Sequence, residues 1–199
     1  MQAALLAQLS TIGLVIFAGL YLYASARYEG GNRVDAEHKK WDWFHNYWCD
    51  IIWPTTYTEA PNRASKWGIT ANFLLCISFI LFFWAFAMVY APTTLWTYLI
   101  GWSGTLAMLG TMLIFTELHD RIIGIIVISA LPAVLGLVYG LVYFQERTAI
   151  YLGAVALLLV VANVYSFFTK QGEYYLPFMQ KLAFVAVIAW AIYINSSIT

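Results

Sequence analysis

Six runs of mostly apolar residues, near 4–24, 67–90, 94–116, 121–144, 149–168 and 178–196, limit what this chain can fold into. Each is close to the roughly 20 residues that a helix needs to cross the hydrocarbon of a bilayer. Backbone groups in lipid have no water to bond with, so only helices or closed barrels serve. Unbroken apolar runs without alternation exclude the barrel. Composition agrees: 62% of the 199 residues are hydrophobic and 10% are charged, against roughly a quarter charged in ordinary soluble domains. A soluble enzyme, a disordered tail and a nucleic-acid binder are thereby excluded. The expected fold is all-α: a single polytopic membrane domain over 1–199, with six transmembrane helices. A long polar loop follows the first run where a signal peptide would carry a small-residue cleavage site, so that run is read as retained.

Lys and Arg distribution sets the orientation. The side holding the 25–66 loop carries Arg27, Arg33, Lys39, Lys40, Arg63, Lys66, Arg121, Lys170 and Lys181, whereas the other side carries Arg147 alone. This asymmetry makes the loop side cytoplasmic. All three histidines (His38, His45, His119) lie there too, with every acid except Glu146. The net charge of zero is therefore a crowded, balanced polar face above an apolar bundle, and any site should open on it.

Within the spans, Gly136 and Gly140 form a GxxxG spacing that lets helices approach closely. It serves packing inside the chain or a dimer seam. Pro132 removes a backbone bond from the fourth span and should kink it. Asn72 and Asn163 need partners on neighbouring helices, and Lys181 either joins them or snorkels to the surface. No charge sits at the centre of a span, which argues against a proton pump, voltage sensor or ion-coupled transporter.

The densest chemistry lies at 41–53. As a helix, this segment places Asp42, His45, Asn46, Cys49 and Asp50 on one stripe. Trp41, Trp43, Phe44, Tyr47 and Trp48 cover the rest, and Pro54 ends it. The expectation is a short interfacial helix at a depth that suits indole and phenol rings. Its stripe faces either water or a pocket. A second cluster, Thr116-Glu117-Leu118-His119-Asp120-Arg121, reverses the chain between the third and fourth spans. Thr116 or Asp120 can cap the following helix, with Arg121 pairing to Glu117 or to a lipid phosphate. Alternatively, His119 beside Asp120 faces the stripe and serves proton transfer.

Candidate catalytic residues are therefore His45, Asp50, His119 and Asp120, and candidate binding residues are Asp42, Asn46, Trp48, Asn72 and Arg121. His45 and Cys49 share a helix face, and with His119 and a carboxylate they would make a four-ligand zinc set. The spacing matches no zinc signature, so no cofactor is expected.

The order Tyr28-Glu29-Gly30-Gly31-Asn32, then Asn46-Tyr47-Trp48-Cys49-Asp50, then Asn72, then His119-Asp120 resembles a bacterial six-helix membrane protein family of unknown function. That family is similar to the DRAM and FGF-receptor-activating-protein group. Gly31, Asn46, Asp50, Asn72, His119 and Asp120 are the positions that match, while Glu29 stands where the family usually has proline. The resemblance implies a six-helix bundle in a bacterial inner membrane and a role near lipids, with no established reaction. Alkaline-ceramidase-type hydrolases are similar in using membrane histidines, but they need a late histidine pair, and no histidine follows His119 here. The expected function is binding of membrane lipid, or of another membrane subunit, through the polar and aromatic mouth. A lipid hydrolase or transferase using His45 and His119, and an accessory subunit of a larger complex, are the alternatives.

Overall fold

The computed structural model describes residues 1–116 and 118–199, with the side chains of all of these except Asp120 and Glu173. Six α-helices account for the apolar runs: α1 (Gln2–Ala26), α2 (Ser65–Tyr90), α3 (Thr94–Met112), α4 (His119–Tyr143), α5 (Arg147–Thr169) and α6 (Leu176–Ile198). Among the described residues there is no strand, only an isolated bridge between Thr55 and Pro61. Five of the helices, all but α3, are long and apolar enough to cross a membrane, the character of an integral membrane protein. The third run ends sooner than its composition suggests: α3 stops at Met112, and turns replace the helix over 113–116.

The central helix is α2. More than half of its apolar span is buried (56%), against 11% for α5. It packs on α1, α3 and α6, while α4 leans on α3, and α5 on α6. Phe79, Phe82, Phe83 and Phe86 fill the space that α2 shares with its neighbours. The GxxxG pair is used inside the chain. A Cβ at Gly136 would strike Ile100 of α3, and one at Gly140 would strike the Tyr90 carbonyl at the end of α2. Pro132 sits within α4, which continues on both sides of it.

Intramembrane polar groups find partners across helices. Asn72 donates to the Thr111 carbonyl of α3 (3.1 Å), and Asn163 of α5 donates to the Met179 carbonyl of α6 (3.1 Å). At the far end, Asn195 donates to Ser10 and Thr11 of α1 (both 3.1 Å).

The interfacial helix expected over 41–53 does not form. A turn occupies 43–46, and a 3-10 helix covers only Trp48–Ile51. Short polar side chains cause the difference, because they bond locally to backbone groups that a helix would use. The Asp42 carboxylate accepts from the Phe44 N–H (2.8 Å) and the His45 N–H (3.3 Å). Tyr47 is extended (φ −70°, ψ 154°), and its N–H donates to the Asp50 carboxylate (2.8 Å). The faces are also inverted relative to a surface anchor: Asn46 and Asp50 are buried, whereas Trp43 and Phe44 are exposed.

Candidate functional site

The 27–64 loop is a lid built around Asn46. Its side-chain amide donates to the Gly31 carbonyl (2.7 Å) and to Asp50 Oδ2 (2.9 Å), and its oxygen accepts from the Asp42 N–H (2.8 Å). Gly31 has φ +74°, a conformation in which a side chain is strained. That is why a glycine presents this carbonyl. Lys181, buried in the first turns of α6, donates to the Asn46 and Pro177 carbonyls. It does not snorkel. It ties the lid to α6 across 135 residues of sequence.

Trp48 anchors the lid between α1 and α6. Its ring stacks between Tyr21 of α1 (centroids 3.8 Å apart) and Phe184 of α6 (4.0 Å). Asn62 closes the other end, donating to the Trp53 carbonyl (2.9 Å) and the Asp50 carbonyl (3.1 Å). Its oxygen accepts from the Ala64 N–H (2.9 Å), just before α2 begins. Ser65, the first residue of α2, donates to the Ile52 carbonyl (3.0 Å).

Asp50 is the buried acid of this assembly. Its Oδ2 accepts from Asn46, from the Tyr47 N–H and from the Tyr57 hydroxyl (3.3 Å), while Oδ1 accepts, among the described residues, from Tyr57 alone (3.3 Å). Burial pushes its carboxyl up to about 6, against the hydrogen bonds and the Lys181 charge that favour ionisation. Burial and the Asp50 charge likewise push the Tyr28 and Tyr57 phenols up. Asp42 behaves differently. Its partial burial raises the carboxyl, but the His45 hydrogen bond and the Phe44 N–H outweigh that and hold it low.

Asp42 Oδ2 lies 2.7 Å from His45 Nδ1, and His45 Nε2 lies 3.0 Å from the Tyr174 hydroxyl. The carboxylate fixes the imidazole tautomer. The outer nitrogen meets a phenol from the connection between α5 and α6, so His45 fastens the lid to that connection. The His119 ring lies tilted beside Trp53, with centroids 5.9 Å apart. Arg121 lies exposed in the first turn of α4. The cap of α4 is Leu118, with no side-chain capping bond, and the buried Thr116 hydroxyl has no partner among the described residues. Glu117 and the Asp120 side chain lie outside the described residues. The zinc set of His45, Cys49 and His119 is not assembled: among the described residues, no group of three His, Cys, Asp or Glu side chains could hold a metal ion.

Two cavities open in the lid. A cleft of about 450 Å³ is lined by Arg27, Glu29, Thr56, Thr58, Asn62 and Arg63, among others. Its arginines come from the end of α1 and from just before α2, so it sits at the level where two helices leave the apolar layer. Among the described residues, neither guanidinium is paired with a carboxylate. Beside Arg27, Tyr23 of α1 and Trp67 of α2 meet edge to face at 5.2 Å. Arg27 lies over Tyr23 (5.0 Å) and Lys66 over Trp67 (5.3 Å). A second pocket of about 260 Å³ is lined by Tyr28, Asp50, Trp53, Thr55, Thr56 and Tyr57.

The sequence reading missed Arg27, Arg63, Tyr28 and Tyr57 as wall residues. Arg27 and Arg63 are 36 positions apart, and no local pattern joins them. The available signal was their placement at the two ends of the loop, each next to the boundary of an apolar run. In comparisons with protein-family profiles, curated proteins and solved structures, the chain matches none.

Proposed function

We propose that this chain is a six-span integral membrane protein that binds phospholipid on its lidded face, with the lipid phosphate between Arg27 and Arg63. The observation that carries the reading is the cleft itself: two guanidiniums without a carboxylate partner among the described residues, two threonine hydroxyls, and an aromatic pair that Arg27 touches through Tyr23. Guanidinium forks match phosphate oxygens and form charge-assisted bonds with them. Tyrosine and tryptophan favour the depth at which headgroup meets acyl chain.

The path of the chain supports α3 as the sixth span. α2 ends where Tyr90 meets Phe144 at the close of α4 (5.8 Å), whereas α4 begins where His119 meets Trp53 of the lid. Only α3 connects these opposite ends, and its 19 residues cover about 28 Å at 1.5 Å per residue. The Lys and Arg count supports a cytoplasmic lid, and the resemblance supports a bacterial inner membrane.

The test is native mass spectrometry of the full chain released from detergent. Wild type should retain phospholipid, and an Arg27→Gln/Arg63→Gln variant should retain about a hundredfold less, the equivalent of two charge-assisted bonds of roughly 1.5 kcal/mol each. Equal retention by the variant, or none by wild type, overturns the proposal.

A further inference from the structure

The cleft and the pocket beside it have opposite chemistry. The cleft presents two guanidiniums against a single carboxylate, Glu29, and stays net positive. The pocket presents three aromatic rings, Tyr28, Trp53 and Tyr57, around the buried carboxylate of Asp50. Aromatic faces with a carboxylate at the floor form the environment that holds an organic ammonium ion. Asp50 Oδ1 has room for such a donor, because among the described residues it accepts only from the Tyr57 hydroxyl, at 3.3 Å. Thr56 lines both cavities, so an anion in one and a cation in the other are separated by one side chain.

From this juxtaposition we infer that the lipid is zwitterionic. Its phosphate occupies the Arg27–Arg63 cleft, and its primary ammonium, two methylenes away, occupies the Tyr28–Trp53–Tyr57 pocket against Asp50. The inference rests on the phospholipid reading above and names the headgroup that the same face selects. A primary ammonium fits better than a quaternary one, because Asp50 Oδ1 and the Thr55 and Thr56 hydroxyls can accept its N–H bonds. Anionic phosphatidylglycerol offers the Asp50 side only neutral hydroxyls, with no cation to meet the carboxylate or the rings.

The experiment incubates the delipidated full chain with equimolar phosphatidylethanolamine and phosphatidylglycerol of identical acyl chains. Native mass spectrometry then reads the ratio retained. Phosphatidylethanolamine should be favoured about tenfold, the scale of a desolvated cation over aromatic rings, even though bulk attraction to arginines favours the anionic lipid. Asp50→Asn should collapse the ratio to about one, through loss of phosphatidylethanolamine. Asparagine can place its oxygen where Oδ2 accepts from Asn46 and Tyr47, and its amide toward Tyr57, so the lid persists. Tyr57→Leu, which leaves Asp50 its Asn46 and Tyr47 bonds, should lower the ratio as well. Equal retention of the two lipids by wild type, or an undiminished preference in Asp50→Asn, overturns this inference and leaves the phosphate cleft standing. Retention of neither lipid overturns both.

Discussion

Replacing Asp50 by asparagine isolates the cost of a buried charge beneath the lid. The wild-type carboxyl titrates near 6 in the folded lid against 3.8 in the open chain, so the folded state holds its proton more tightly. Stability from this group is therefore fully present below 3.8 and lost as pH rises to about 6. The interval corresponds to about 3 kcal/mol at 1.36 kcal/mol per pH unit. Asparagine is neutral at every pH, keeps the bonds from Asn46 and Tyr47, and turns its amide to donate to the Tyr57 oxygen. At pH 7.5 the variant lid should therefore open less often than wild type, by up to roughly a hundredfold. At pH 4 the two should converge. Amide hydrogen exchange at Asn46 and Asp50 measures this, since both N–H groups bond within the lid. Comparing the proteins at one pH cancels intrinsic exchange chemistry. Faster exchange in the variant at pH 7.5, or a difference that stays constant from pH 4 to 7.5, would refute burial as the controlling term.

Asn46→Asp changes one atom type and should behave oppositely. It turns an acceptor toward the Gly31 carbonyl and the Asp50 carboxylate, so the lid should lose about 3 kcal/mol or more at neutral pH. Proteolysis within 27–64 would report the loss, and full protection would contradict it. Gly140→Ala drives a methyl into the Tyr90 carbonyl, whereas Gly124 has nothing within 4 Å. The first should cost about 1–3 kcal/mol and the second should be neutral or stabilising by up to about 1 kcal/mol. Thermal melts in detergent that rank the two alanine variants the other way would show that the α2–α4 contact is misassigned.

Apolar run length alone was enough to write down the helices. The six runs and the six helices agree within a few residues at most ends, because a chain in hydrocarbon has no alternative to helix for its backbone. Charge counting likewise located the polar face, since charges are expelled to the ends of spans whatever the packing. The lid was a different matter. Helical spacing placed Asp42, His45, Asn46, Cys49 and Asp50 on one stripe, yet their own side chains bond the backbone and break that helix. Asn46 and Asp50 turned inward only because Gly31, Tyr57 and Lys181 supply partners from elsewhere in the chain. The cleft needed Arg27 and Arg63 brought together by the ends of α1 and α2. The sequence determined where this protein crosses lipid, because that depends on local hydrophobicity. The tertiary structure decided what its polar face encloses, because each buried polar group there is held by partners that local periodicity does not encode.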